Sequence, residues 1–477
     1  MSNVYVDRTK PSILYLNEYT IDSDRIDADF YHIDYISNER QLKQSGLEIK
    51  PLGKIISKMN SPIGWQGIPS AAYLPKGAGV PLIRVQNVND LMLDRDTLIG
   101  VQEYIYQDQP AIQAEAEDII ITRVGTIGRV CRVPNDVSKL AMGQNLTRIK
   151  VDSSIITSEF LTIFMASEYC QLQMKRYAYG GVQPSLTNKN IKQLLVPIPS
   201  PEIQKYIGDK VRRAEELREE AKAAKKDYEY IIQDIYSDSN TIKFPKGFYT
   251  VQSHDFDDKH LRIDSNFYNP LYKNRKLDSY KNVKLSKLVD LKKNCKIQAE
   301  EKYAYFEIGD LSTSNILDGK ERVKGSELPG RAKLKLEKDD IIVSLVQESI
   351  EVTSYVDKEL KNTLTTNGCA VLIPRDKSLS GYLYAIISSK YFIAQKCRYI
   401  SGTNIRSMSK DDLLDMIVPV VEDGILTKVN ELVKKEFACL RESKKLIQEA
   451  KQDVEDLIEG NFDMSKLDNN YTAESRC

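Results

Sequence analysis

The feature that most constrains this chain is that it repeats itself once. Arg25-Ile26-Asp27-Ala28-Asp29-Phe30-Tyr31 returns as Arg262-Ile263-Asp264-Ser265-Asn266-Phe267-Tyr268, 237 positions later. Glu117-Asp118-Ile119-Ile120-Ile121 returns as Asp339-Asp340-Ile341-Ile342-Val343, and Val196-Pro197 as Val418-Pro419, both 222 positions later. The shared later offset leaves no net insertion between those two landmarks. The difference of 15 residues therefore lies between about residues 32 and 117, and the first copy has the longer early loops. A repeat of this length fixes the order of parts before any single residue is interpreted.

Each copy opens with a short amphipathic segment and a lead-in strand region, Lys50 to Ile55 and Val283 to Leu288. Alternating β-branched runs bounded by Gly, Asn and Asp follow, and these read as short strands. They are Leu82 to Val88, Asp118 to Thr122 and Leu146 to Val151 in the first copy. In the second they are Tyr303 to Ile308, Asp340 to Val346 and Ala370 to Ile373. A helical stretch comes next, Glu159 to Tyr177 or Tyr382 to Tyr399, then a Gly-containing turn (Tyr179 to Asn188; Ile400 to Ser409). A Pro-marked strand, Leu195 to Ile198 or Met416 to Val420, leads into a long helix.

In the first long helix apolar or small residues recur at Ile203, Ile207, Val211, Ala214, Leu217, Ala221, Ala224, Tyr228, Ile231 and Ile235. Their mean spacing, near 3.5, is that of a coiled-coil seam. The second seam runs through Ile425, Val429, Leu432, Leu440, Ile447, Ala450, Val454 and Leu457, and weakens near Glu436 and Lys444. Two such helices, each following an equivalent domain, most simply pair with each other antiparallel. At about 1.5 Å per residue such a rod spans roughly 50 Å, or at most about 15 base pairs of DNA.

The fold class expected is α+β: two similar mixed α/β domains separated by a long antiparallel two-helix coiled coil. The boundaries read as an N-terminal segment 1–46, a first domain 47–200, a helix 201–240 and a linker 241–282. A second domain 283–421, a helix 422–460 and a polar, frayed tail 461–477 complete the chain.

Composition narrows the function classes. The 68 basic and 68 acidic residues cancel, which disfavours a strongly acidic DNA mimic and leaves open a DNA binder with a basic face. Residues 50–200 carry 16 basic and 12 acidic side chains, and residues 283–420 carry 22 and 19. The seven cysteines are dispersed without a close pair, which fits reduced cytosolic thiols rather than a disulfide or zinc framework. No run approaches membrane-span length, and Met1 to Lys10 lacks an apolar signal region, so a cytoplasmic location is expected.

No phosphate-binding loop, dinucleotide fingerprint, zinc-protease motif or nucleophile elbow is present. Nor is there the Asn/Asp-Pro-Pro-aromatic tetrapeptide that amino-methyltransferases use on a flipped base. Gly125-Thr126-Ile127-Gly128 lies between strand-like runs and reads as a hairpin-type turn. Glu117-Asp118 and Asp339-Asp340 recur at strand starts, which favours a structural strand entry over an acid/base pair. No catalytic constellation and no metal site is expected.

The ordered set resembles the specificity subunits of type I restriction-modification systems. It comprises a strand-rich domain, the turn Gly180-Gly181-Val182-Gln183-Pro184-Ser185, the strand end Val196-Pro197-Ile198-Pro199, then Glu202-Ile203-Gln204 and a long helix. The resemblance covers roughly residues 25–460 and both halves show it. It implies two target-recognition domains reading a bipartite DNA target, one half-site each, and an antiparallel helical core on which methyltransferase subunits dock. Its implied partners are double-stranded DNA and two adenine methyltransferase subunits, with a restriction/translocase subunit where an endonuclease joins. S-adenosylmethionine would sit on the methyltransferase, and this chain would hold no cofactor and be no enzyme.

A related non-type-I modification or phage-defence system, a coiled-coil scaffold without a DNA role, and a nuclease built on Asp339, Asp340 or Glu348 remain as alternatives. The second copy departs from the pattern. Arg123-Val124-Gly125-Thr126-Ile127-Gly128-Arg129 becomes Leu345-Val346-Gln347-Glu348-Ser349-Ile350-Glu351, and Pro199-Ser200-Pro201 becomes Val421-Glu422-Asp423.

Base edges are read by Arg, Lys, Asn and Gln, while phosphate contacts position the protein. Polar turn residues beside the strands are therefore the DNA-binding candidates. In the first copy these are Arg84, Gln86, Asn87, Arg123, Thr126, Arg129, Gln144, Asn145, Gly181, Gln183, Ser185 and Thr187. In the second they are Asp310, Ser312, Thr313, Gln347, Asn367, Thr403, Asn404 and Arg406. Trp65 and the tyrosines are expected to be packing residues.

Overall fold

The computed structural model describes residues 25, 29–62, 68–89, 91–95, 97–178, 184–237, 250–252, 256, 262–265, 267–269, 272, 277, 279–314, 316–402, 404 and 406–467. Trp65, most of the 241–282 linker and the last ten residues lie outside these. The chain divides into two compact units, residues 1–216 with 443–477, and residues 217–442. Each long helix crosses that division, so each unit contains part of both.

The first unit opens with α1 (Ile33–Gln44), β1 (Glu48–Pro51), β2 (Ile56–Asn60), β3 (Tyr73–Leu74) and β4 (Val80–Ile83). It continues through β5 (Val88–Asn89), β6 (Met92–Leu93), β7 (Ile99–Val101), α2 (Glu103–Asp108) and β8 (Gln113–Ala114). Next come β9 (Ile119–Thr122), β10 (Val130–Arg132), β11 (Leu140–Met142) and β12 (Leu146–Val151). Then α3 (Ser158–Ala166), α4 (Glu168–Tyr177), α5 (Asn188–Lys192) and β13 (Leu195–Ile198) lead to α6 (Pro201–Ile235). One sheet has the order β10-β9-β12-β2 and a second the order β3-β7-β4-β11-β8, with small pairs β1-β13 and β5-β6.

The second unit repeats this plan with β14 (Lys281–Lys284), β15 (Val289–Leu291), β16 (Lys302–Phe306), β17 (Arg322–Lys324), β18 (Ala332–Lys335) and β19 (Ile341–Ser344). β20 (Thr353–Tyr355), β21 (Thr363–Thr366), β22 (Cys369–Pro374), α7 (Ser380–Ile387), α8 (Lys390–Tyr399) and α9 (Lys410–Asp415) follow. β23 (Ile417–Val420) and α10 (Asp423–Glu459) close it. Its sheets are β20-β19-β22-β15, β17-β16-β21-β18 and β14-β23. Most of the extra length of the first copy lies between β2 and β4, where β3 is inserted.

The duplicated Ile-rich strand explains the layering. Side chains alternate between the two faces of a strand, so Ile119 and Ile121 pack with α3 and α4 while Ile120 packs with the second sheet. Ile341 and Val343 face the helices of the second unit and Ile342 its second sheet. A strand covered on both faces reads as one continuous apolar run.

The acidic pair before each of these strands is structural. Glu117 and Asp339 adopt φ of 68° and 71°, turning the chain into the strand. Asp118 is buried, accepts the Glu115 N–H at 2.7 Å and pairs with buried Arg148 at 2.5 Å. Asp340 does the same with the Glu337 N–H at 2.8 Å and Lys292 at 2.9 Å. In both, burial outweighs these partners and pushes the carboxyl pKa upward.

Several sequence expectations shift by small amounts. The helical stretch 159–177 is two helices, because Ser167 is extended and its hydroxyl donates to the Phe164 carbonyl at 2.7 Å. Its counterpart breaks at Ser389, which caps α8 through the Phe392 N–H at 3.3 Å. The run 82–88 breaks after Ile83 into a 3₁₀ turn at Val85–Asn87, and both lead-in segments break into 3₁₀ turns at Leu52–Lys54 and Leu285–Lys287. The tail is not frayed throughout: Lys466 reaches Asp453 at 2.7 Å and the Phe462 ring meets Tyr206 edge-on.

The helix halves within each unit run antiparallel. In the first, Lys210 pairs with Asp453 at 2.5 Å and the Ser443 hydroxyl donates to the Ala214 carbonyl at 2.8 Å. In the second, the Tyr228 hydroxyl donates to Glu436 at 2.9 Å. Buried Ile232 takes the seam position expected of Ile231, and Val433 and Phe437 are buried where Leu432 and Leu440 were expected. Glu436 does not weaken the seam from outside; it lies within it at 1% exposure.

Two further devices are duplicated. The Gln173 amide donates to and accepts from the Leu195 backbone (3.0 and 2.7 Å), as Gln395 does with Ile417 (3.3 and 3.3 Å). Gln204 on α6 accepts the Thr157 N–H at 2.9 Å, and Asn430 on α10 accepts the Tyr382 N–H at 2.9 Å. Each pins a domain helix to a long helix within one unit.

Two outcomes follow. Asp118→Ala removes the nearest carboxylate from buried Arg148, leaving it the Gln113 carbonyl at 2.7 Å and Glu115 at 3.6 Å, and is expected to cost about 1–3 kcal/mol of stability, seen as a lower urea midpoint; an unchanged midpoint contradicts the pairing. Burial raises the Glu436 pKa above its unfolded value, against the pull of nearby Ser314, Lys225 and Tyr228. A group raised in this way contributes stability that is complete below its unfolded pKa and lost as pH rises through the folded one. Glu436→Gln should therefore melt higher than wild type at pH 8, with the gap closing towards pH 5; a pH-independent gap contradicts this.

Candidate nucleic-acid interface

In each unit the second sheet contains one parallel pair, β4 with β11 and β16 with β21. Parallel neighbours send the loops that leave them to the same sheet edge. In the first unit those loops carry Arg84 to Asn87 and Gly143 to Asn145. The Gly143 N–H donates to the Ile83 carbonyl at 2.8 Å and joins them.

Two more loops are tied in. The Arg123 N–H donates to the Asn145 carbonyl at 2.9 Å, and Asn145 turns the chain with φ of 68°. The Leu186 N–H donates to the Arg123 carbonyl at 2.8 Å, and Val124 bridges to Ser185. Gly125 and Gly128 adopt φ of 77° and 85° in the turn between β9 and β10. A Cβ on Gly128 would lie 2.7 Å from the Gln171 side-chain oxygen. The expected hairpin-type turn is thus a feature of the same surface.

These ties bring together Arg84, Gln86, Arg123, Thr126, Arg129, Gln144, Asn145 and Ser185. Gln86, Thr126, Arg129 and Gln144 are exposed. Arg84 and Arg123 are half-buried, and the inner Nε of each is buried without a hydrogen-bond partner among the described residues. Arg123 donates to the Pro62 carbonyl at 3.3 Å, and burial pulls its pKa down. Asn87 is turned inward: it is fully buried, accepts the Arg84 N–H at 2.8 Å and donates to Thr97 at 2.7 Å. Thr187 caps α5 by accepting the Asn190 N–H at 3.1 Å. Gly181 and Gln183 lie outside the described residues.

The second unit assembles the same edge with different chemistry. The Met408 N–H donates to the Leu345 carbonyl at 2.9 Å and the Gln347 N–H to the Arg406 carbonyl at 2.9 Å, repeating the first unit's ties. Gln347–Ser349 is a 3₁₀ turn in place of the Gly–Gly hairpin. The Gln347 side-chain oxygen is buried without a partner among the described residues, and Glu348 is exposed.

Asp310 is the counterpart of Asn87, accepting the Glu307 N–H at 2.8 Å and also holding Lys320 at 2.5 Å. Ser312 is exposed and its carbonyl accepts from Ser354 at 3.0 Å; Thr313 is half-buried. Asn367 and Asn404 are exposed, and half-buried Arg406 lines a surface cleft with Arg262, Asp264, Gly402 and Asp412. Thr403 lies outside the described residues.

Sequence reasoning missed three groups. Ser61 donates to Asn188 at 2.9 Å and shares a hydrogen bond with Thr147 at 2.7 Å, beside the Pro62 carbonyl that Arg123 holds. Glu307 stands where the first unit has Arg84. Arg331, next to Asn367, donates to Glu307 at 2.7 Å. Only Arg331 carried a sequence signal, the Pro329-Gly330 turn before it.

Among the described residues no cluster of three or more His, Cys, Asp or Glu is placed to hold a metal ion. No described helix is long and apolar enough to cross a membrane. The six described cysteines form no disulfide with one another.

Residues 62–227 match the family described as the type I restriction modification DNA specificity domain. The specificity subunit of the type I restriction enzyme EcoBI from Escherichia coli is 32% identical over 139 residues, 29% of this chain and 28% of that protein. A putative MjaX specificity subunit from Methanocaldococcus jannaschii is 25% identical over 154 residues, 32% of this chain and 33% of that protein. The aligned region thus spans about a third or less of either relative.

Among solved structures, a type I restriction-modification S subunit from M. genitalium aligns over 88% of this chain and 97% of its own, at 14% identity and a TM-score of 0.43. An HsdS subunit from Thermoanaerobacter tengcongensis aligns over 87% and 97%, at 15% identity and a TM-score of 0.30. Residues 62–227 of the chain are thus similar to the DNA specificity domain of type I restriction-modification systems.

Proposed function

We propose that this chain recognises double-stranded DNA and carries no catalytic centre of its own, each unit reading one half of a split target. The observation that carries this reading is the shared edge of the parallel pair. In the first unit it gathers Arg84, Arg123, Arg129, Gln144 and Asn145 from three separate loops, tied to one another by backbone hydrogen bonds. Arginine, glutamine and asparagine are the side chains that pair bidentately with guanine and adenine edges.

Partner recruitment belongs to the same proposal. The solvent-facing sides of α6 and α10 are rich in charged residues and would serve as the docking platform for two adenine methyltransferase subunits. A restriction/translocase subunit would join where cleavage accompanies modification. S-adenosylmethionine would be held by the methyltransferase, and this chain would supply the address alone. A cytoplasmic location follows from that role.

The test is binding of the full chain to mixed-sequence duplex DNA over a range of salt concentrations. Log affinity should fall linearly with log salt, with a slope that shrinks by about 0.9 for each phosphate contact removed. Arg84→Ala with Arg123→Ala should weaken binding while the second unit's contacts persist. Salt-insensitive or absent binding by the folded chain would favour a coiled-coil scaffold, and magnesium-dependent cleavage by it alone would favour a nuclease.

A further inference from the structure

The two units present the same edge with opposite local charge. The 3₁₀ turn that follows the first parallel strand begins at Arg84 in one unit and Glu307 in the other. Asn87 and Asp310 hold those turns in the same way, each accepting the first residue's N–H at 2.8 Å. The loop between β9 and β10 offers Arg123 and Arg129, and its counterpart offers Leu345 and Glu351. A copy of the first unit's contacts would leave these positions of the second without a cation, with Arg406 tied in beside them through the Gln347 N–H.

The missing cation comes from a neighbouring strand. Arg331 stands in the turn Pro329-Gly330-Arg331-Ala332, closed by the Ala332 N–H to the Pro329 carbonyl at 2.9 Å. β18 is antiparallel to β21, so its start lies at the edge where β16 and β21 end. The Asn367 N–H donates to the Arg331 carbonyl at 2.9 Å, fixing Arg331 beside a second candidate reader. Its guanidinium donates to Glu307 at 2.7 Å while its side chain stays 57% exposed.

That arrangement distinguishes between the two things an exposed arginine does on DNA. A carboxylate within hydrogen-bond reach repels a phosphate and cancels the long-range attraction a backbone contact needs. It does not repel a neutral base edge, and it holds the planar guanidinium in one orientation. The base edge that offers two acceptors to such a fork is guanine, through O6 and N7.

We propose that Arg331, oriented by Glu307, is the specificity-determining residue of the second unit and reads a guanine in its half-site. This rests on the DNA-recognition reading above and adds to it the residue and the base.

The experiment measures affinity of the full chain for its target duplex, identified by methylation mapping, and for every single-base-pair variant of both half-sites. Arg331→Ala should lose about 5- to 150-fold in discrimination, the equivalent of ~1–3 kcal/mol, at one G·C pair of one half-site. Preference at the other half-site should be unchanged. Arg331→Lys should not restore it, because an ammonium cannot pair as a planar fork. Glu307→Ala should relax the same position, and Glu307→Gln, which keeps one acceptor for Arg331, should relax it less.

Both residues are exposed, so melting temperatures should hold and a loss cannot be assigned to misfolding. Unchanged discrimination in Arg331→Ala overturns the proposal. So does a loss spread evenly over all sequences with the salt slope reduced by about 0.9, which marks a phosphate contact. Wild-type chain that binds no duplex overturns the recognition reading itself.

Discussion

Two parallel neighbours in one sheet cannot be joined by a hairpin, and both must release their outgoing loops at the same edge. In each unit of this chain one such pair, β4 with β11 or β16 with β21, sets where polar side chains can gather. The rest of the unit supports that edge. The Ile-rich strand of the neighbouring sheet, covered on both faces, fixes the register from which the Arg123 and Gln347 loops depart. Single backbone hydrogen bonds then stitch the loops together, with the Arg123–Leu186 tie repeated as Leu345–Met408.

The long helices take part in each unit through polar rather than purely apolar contacts. Gln204 and Asn430 reach from α6 and α10 to satisfy backbone groups at the start of a domain helix. Glu436 accepts from Tyr228 inside the seam, and the Tyr384 hydroxyl beside it accepts the Ser314 N–H at 3.1 Å. Buried polar pairs add less stability than apolar packing, and their best-attested use is to fix register. Here that register also anchors the loop that carries Ser312 and Thr313.

Much of this was legible in the sequence, for identifiable reasons. The duplicated acidic landmark survives because it meets the same backbone demand twice: Asp118 and Asp340 close the same turn. The seam spacing located both long helices to within a residue or two. What failed was direction. Asn87 sits on a turn of the right composition, yet the 3₁₀ geometry points its amide inward to Thr97. Ile231 and Ile232 are indistinguishable to a mean spacing, and tertiary packing selected Ile232. Arg331 could not be foreseen as part of the edge, since only the antiparallel pairing of β18 with β21 brings it beside Asn367. The role of Glu307 likewise needs the position of its arginine partner.

The account makes the two copies readers of separate half-sites, alike in scaffold and different in the chemistry at one edge. Its most direct test replaces residues 50–200 with the equivalent domain of another specificity subunit and maps methylated bases in cells that supply the methyltransferase. The account predicts a split motif in which one half changes while the other half stays as in wild type. A motif altered in both halves, or a methylation pattern indifferent to the exchange, would contradict it.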